Sequence, residues 1–119
     1  MKEYFAPHKN TIHSLYFKHN PQSTAFTFWW GVAYREEKKH VSLWLRLHEA
    51  YHHIRMKNKG CFAQGVVALF YAVTIRNHDD RPNEIRANRF ADEYYDIFVR
   101  TGVNADEYLK SLIEFNVKK

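Results

Sequence analysis

Between Leu43 and Gly60 the chain reads LWLRLHEAYHHIRMKNKG, and its apolar residues Leu43, Leu47, Ala50 and Ile54 recur at i, i+4, i+7 and i+11. That spacing predicts an amphipathic α-helix with one side laid on a core. Ser42 is placed to cap its start, and Lys57 and Lys59 ahead of Gly60 suit its end. On a wheel of roughly 100° per residue, His48 and His52 lie roughly 140° from the centre of the apolar stripe. The two histidines therefore share a face with each other and not with the core residues. Any fold for this chain has to leave that face against something other than a purely apolar neighbour.

The rest of the sequence arranges itself around this helix. Composition (45% hydrophobic, 17% aromatic, 26% charged) and a length of 119 residues predict one folded domain spanning 1–119. TIHSLYFK (Thr11 to Lys18) alternates and is rich in aromatic and β-branched residues, so it reads as extended chain. HNPQS is a turn signal, and TAFTFWWGVAYR (Thr24 to Arg35) again favours strand, although Trp29-Trp30 breaks its alternation and leaves a helix from Phe26 open. The expectation is a small sheet of two or three strands, with Tyr16, Phe17, Phe26, Phe28, Trp29 and Trp30 on its core face. REEKK then marks a turn before the first helix.

Downstream, FAQGVVALFYAVTI (Phe62 to Ile75) is an apolar run of 14 residues containing one Gln. It is too short to span a bilayer and reads as buried core, with helix and strand equally compatible. NHDDRP is a break. A second amphipathic helix is predicted from Pro82 to about Arg100, with Pro in the first turn and Gly102 beyond the end. A third begins at Asn104, with Glu107 three residues on, and buries Leu109, Leu112 and Ile113. The fold class expected is α+β: a short N-terminal sheet on the first helix, followed by further helices.

His48-Glu49-Ala50-Tyr51-His52 fits H-E-x-x-H. Histidines at i and i+4 of a helix can grip one zinc ion, and the Glu beside the first can act as a base. A catalytic zinc site needs a third protein ligand and an open position for water. A histidine six residues after the second does not supply it, because position 58 is asparagine. A Glu from a separate helix does: in NEIRANRFADEYY, Glu84, Asn88, Ala91 and Tyr95 form one stripe and Ala87, Phe90, Tyr94 and Ile97 the adjacent apolar one. Glu84 stands at a helix start, where a carboxylate is favoured. Asn88, one turn on, can hydrogen-bond a ligating histidine, and Ala91 is small enough to let two helices approach. For a developing oxyanion the candidate donors are Tyr95, Tyr94 and His78. His53 reads as a solvated histidine, and Cys61 as a small buried residue.

H-E-x-x-H followed by E-x-x-A-N-x-F-A resembles the gluzincin metallopeptidases, closest to the ImmA/IrrE type and the minigluzincins. The residues carrying the likeness are His48, Glu49, His52, Glu84, Ala87, Asn88, Phe90 and Ala91, within roughly half the chain from Val41 to Val99. The chain departs from the common HELGH form in having Tyr51 before the second histidine. The resemblance implies a small zincin-like domain with an active-site helix, a glutamate helix and a C-terminal helix. It further implies Zn(2+) held by His48, His52 and Glu84, Glu49 as general base, and a peptide or protein substrate, cleaved with narrow specificity and added to a sheet edge. The alternative is a zinc-stabilised binding or regulatory module on the same scaffold that cleaves nothing.

Charge and targeting features narrow the partners. The formal charge is +5, but the basic residues are scattered and no nucleotide-binding or paired-cysteine fingerprint occurs, so nucleic acid is not the expected partner. A single cysteine and an opening MKEYFAPHKN without an apolar segment predict a cytoplasmic protein that is neither disulfide-bonded nor membrane-bound. A homodimer partner, or the chain's own EFNVKK segment, is a candidate cover for the cleft of so small a peptidase.

Overall fold

A computed structural model describes residues 1–7, 11–28, 31–75 and 80–117, the side chains at positions 28, 61, 65 and 72 aside. Along the chain run β1 (Lys2–Phe5), α1 (Ile12–His19), β2 (Ala25–Phe28), β3 (Gly31–Tyr34), α2 (Leu43–Lys59), α3 (Cys61–Thr74), α4 (Pro82–Thr101) and α5 (Ala105–Asn116). A 3₁₀ turn, Lys38–His40, precedes α2. The class is α+β.

The sheet has the order β1-β3-β2, with β1 parallel and β2 antiparallel to the central β3. All four residues of β3 are buried, whereas β1 and β2 are edges. Ala25 pairs with Tyr34 and Phe28 with Gly31, so the expected single strand over 24–35 is a hairpin whose two connecting residues lie outside the described set. Gly31 is required where β1 and β3 meet, because a Cβ there would collide with the carbonyl oxygen of Lys2.

Thr11 to Lys18 is not a strand. Thr11 Oγ1 accepts from the Ser14 N–H and caps α1, whose His13 and Phe17, one turn apart, are the residues it buries. Over eight residues the strand alternation and this i, i+4 pair select overlapping positions, and the cap together with burial of one face favours the helix. Phe17 therefore enters the core from a helix and not from the sheet, while Tyr16 packs against Phe26 with ring centroids 4.1 Å apart. Arg35 fastens the end of α1 to the hairpin by donating to the carbonyls of Phe17, Asn20 and Ser23.

α2 is the axle of the molecule, in contact with β2, β3, α3, α4 and α5. Ser42 caps it by accepting from Leu45 N–H, and Gly60 ends it. Its Leu47, Ala50 and Ile54 meet Ala91 of α4 and Leu109, Leu112 and Ile113 of α5 in one apolar cluster. The α4 and α5 boundaries follow the expected signals: Pro82 in the first turn, Gly102 in the left-handed conformation at φ 67°, and Asn104 Oδ1 accepting from Asp106 and Glu107 N–H.

Two expectations are corrected here. His53 is buried and not solvated, because the N-terminal residue and the end of α5 cover this part of α2; its ring borders a cavity of about 440 Å³ with Met1, Lys57, Ile113, Glu114 and Val117. Burial lowers its pKa to about 4, helped by nearby positive charge including Lys57, and Nδ1 has no hydrogen-bond partner among the described residues. The apolar run after Gly60 is a helix, yet it is not core. α3 lies on the outside of α2 with Phe62, Val66, Leu69, Phe70 and Val73 turned to solvent. Among the described residues no helix is long and apolar enough to cross a membrane.

Candidate metal centre

α2 and α4 cross with Ala87 and Ala91 fully buried between them. These methyl-sized residues set a close approach, and the close approach brings Glu84 over the histidine face of α2. The carboxylate spans both rings: His48 Nε2 lies 2.8 Å from Oε2 and His52 Nε2 lies 3.1 Å from Oε1. One ligand atom from each of the three residues falls within 4.8 Å of the others. Glu84 is buried and both histidines nearly so, which shields the cluster from bulk water.

Hydrogen bonding around the cluster fixes its chemistry. Asn88 Oδ1 lies 2.8 Å from His48 Nδ1 and as an amide oxygen can only accept, so Nδ1 carries a hydrogen and Nε2 faces Glu84. Burial alone would lower the His48 pKa. The hydrogen bond to Glu84, the charges of Glu49 and Glu84, and Asn88 outweigh it and raise the value above 6.5. Burial likewise would raise Glu84, but the hydrogen bonds and charges of His48 and His52 hold it well below the usual carboxylate range. Without a metal, a protonated His48 pairs with Glu84 through Nε2, the ring nitrogen turned to the cluster.

The donor set fits a divalent cation of the zinc type. Two imidazole nitrogens and a carboxylate are ordinary zinc ligands, and in tetrahedral coordination such atoms stand about 3.3–3.5 Å apart. The two histidine–carboxylate spacings are shorter than that, at 2.8 and 3.1 Å, and the set as a whole lies within 4.8 Å. Among the described residues the group has three members, which leaves one position open.

Glu49 lies beside the cluster, its charge acting on His48, and its carboxylate also reaches the sheet. Its Oε2 accepts a hydrogen bond from Thr27 Oγ1 at 2.7 Å, and the same hydroxyl lies 3.4 Å from the Glu49 carbonyl oxygen. Both residues are buried. Thr27 was not legible as a site residue, although it is the one polar side chain in the strand AFTF and stands opposite in parity to Phe26. A second unanticipated contact braces the helices: Trp44 Nε1–H donates to Asp92 Oδ1 at 2.8 Å, and the Trp44 ring leans on His48 with centroids 5.6 Å apart.

Of the candidate oxyanion donors, Tyr94 and Tyr95 lie ten and eleven residues beyond Glu84, about 15–17 Å along α4. Tyr94 packs on Phe90 with centroids 4.6 Å apart and Tyr95 is exposed, so neither is brought to the ligands. His78 lies outside the described residues. The chain matches no protein-family model, no characterised protein and no solved structure.

Proposed function

We propose that the chain is a zinc-dependent endopeptidase of narrow specificity, with a zincin-like arrangement of sheet, active-site helix and glutamate helix. The observation that carries this reading is the position of Glu49. A purely structural metal site has no use for a carboxylate between its two histidines, and it is normally closed by a fourth protein ligand. Here three ligands converge, a fourth has no counterpart among the described residues, and Glu49 lies beside the group with its charge acting on His48.

In this reading His48, His52 and Glu84 hold the cation. Bound there, a zinc ion would acidify a water molecule and polarise a carbonyl. Glu49 takes the proton from the attacking water and returns it to the departing amine. Thr27 keeps the Glu49 carboxylate in one orientation through its hydrogen bond. Asn88 keeps the His48 ring turned so that Nε2 faces the ligand position. β2 is an edge strand and carries Thr27, so a peptide paired along that edge would run past Glu49.

The test is a pair of variants assayed for both metal and cleavage. Glu49→Gln should keep its zinc and lose peptide hydrolysis by about 10²–10⁴-fold, the usual worth of a general base. His48→Ala should lose both. Unchanged cleavage in Glu49→Gln would remove the base assignment. Stoichiometric zinc without hydrolysis of any substrate in a broad peptide library would favour the non-catalytic module.

A further inference from the structure

We propose that α3 is the surface through which two copies of this chain form a symmetric dimer. Phe62, Val66, Leu69, Phe70 and Val73 fall at i, i+4, i+7, i+8 and i+11, one continuous stripe on a helix. In a single chain this stripe is open to water, with 87%, 52%, 66%, 62% and 78% of each residue exposed in that order. The half-buried Gln64 and Tyr71, seven residues apart, mark the side turned inward. A helix therefore shows solvent the face that such a pattern normally buries.

The area matches what a dimer needs. At about 150–200 Å² for a fully exposed side chain of this size, the stripe offers roughly 500–700 Å² per chain. That is at or above the upper end of the largest apolar patch on a typical monomer, about 300–600 Å², and patches of that size are often functional. Paired with itself it would bury roughly 1,000–1,400 Å², beyond the range of adventitious contacts and at the lower end of specific interfaces.

Charge selects a second copy as the occupant. α3 has no Asp, Glu, Lys or Arg in its 14 residues, while the whole chain carries +5. The net repulsion between two such chains is not increased at α3, where the contact itself brings no charges together. A two-fold axis also places each residue of the stripe against the same apolar face, which is self-complementary without further matching. A lipid surface fits less well, since helices that lie in a bilayer interface carry Lys or Arg on their polar side and α3 carries none.

Sedimentation velocity on the full chain between about 1 and 100 µM tests the proposal. The wild type should sediment at twice the 14.3 kDa chain mass over the upper part of that range. Phe62→Glu combined with Leu69→Glu, both at exposed positions, should weaken self-association by at least a hundredfold while helical circular dichroism and metal content stay unchanged. In a Cys61→Ser background, Leu69→Cys lies near the middle of the stripe and should cross-link to its mate with a short bismaleimide. A wild type that stays monomeric at 100 µM overturns the proposal, as does a dimer indifferent to the double substitution. Monomer that co-sediments with phosphatidylcholine–phosphatidylglycerol vesicles through the same two residues would assign the face to lipid and also overturn it. None of these outcomes depends on the peptidase reading, which metal content and hydrolysis report separately.

Discussion

Removing the Glu3 carboxylate should cost this fold about 3 kcal/mol, and the structure shows why. Arg46 on α2 is buried, and its guanidinium donates to Glu3 twice, Nε to Oε2 at 2.9 Å and Nη2 to Oε1 at 2.6 Å. Tyr34 Oη–H also donates to Glu3 Oε2, at 3.0 Å, and burial beside that carboxylate raises its pKa, so it stays protonated. Glu3→Ala strands two buried donors. Breaking a buried ion pair from one side costs roughly 3–5 kcal/mol. Asp106 still accepts from Arg46 Nη2 at 2.7 Å, which places the expected loss at the lower end, about 3 kcal/mol. In a domain of this size that lowers Tm by about 10–15 °C. Asp106 is half exposed, so Asp106→Asn should cost less than about 1 kcal/mol. Thermal unfolding followed by circular dichroism reads both, and zinc content should survive in each because neither residue touches the ligand group. A Glu3→Ala Tm within about 4 °C of wild type, or an equal loss in Asp106→Asn, would refute the assignment of Glu3 as the clamp holding β1 to α2.

Further outcomes follow from the contacts of the site. Thr27→Val removes the donor to the buried Glu49 carboxylate and should destabilise by about 1.5–3 kcal/mol. Combined with Glu49→Leu it should cost far less than the two changes added, which a double-mutant cycle in urea would measure. Metal affinity should fall as pH falls from 8 to 6, because the proton held on His48 Nε2 by its raised pKa competes with the cation; a chelator competition series would show it. The metal-free ion pair behaves in the opposite sense at its upper end. Its stabilisation is complete above the ordinary Glu84 value of 4.5 and below the ordinary His48 value of 6.5, and it fades as pH rises through the raised His48 value. Melting curves of metal-free chain across pH 5 to 9 should therefore decline toward the alkaline side relative to His48→Ala.

Sequence signals located α2, α4 and α5 wherever independent rules agreed. Ser42, Pro82, Asn104 and Gly102 each fix a helix end by a local hydrogen bond or dihedral, and such interactions act within one turn, so they are visible without the fold. The His48, His52 and Glu84 cluster was legible for the same reason on α2, and on α4 because Glu84, Asn88 and Ala91 share a stripe facing a neighbour. What escaped depends on distant chain. The strand β1 is held by pairing with β3 and by Glu3 reaching Arg46, none of which a four-residue segment announces. Thr27 matters only because β2 lies on α2. His53 is buried because α2 is covered on several sides, a property of its neighbours and not of its own helix period. α3 shows the limit most plainly: its stripe states that an apolar face is to be covered, and not by what.

The most direct measurement is elemental analysis of the purified chain beside Glu84→Ala. Close to one zinc per chain is expected in the wild type, and loss of most of it in the variant, since His48 and His52 alone would leave the cation with two protein ligands. A wild-type chain that takes up no zinc after reconstitution at pH 8, or a Glu84→Ala chain that holds it as tightly, would contradict the metal centre and the hydrolytic chemistry built on it.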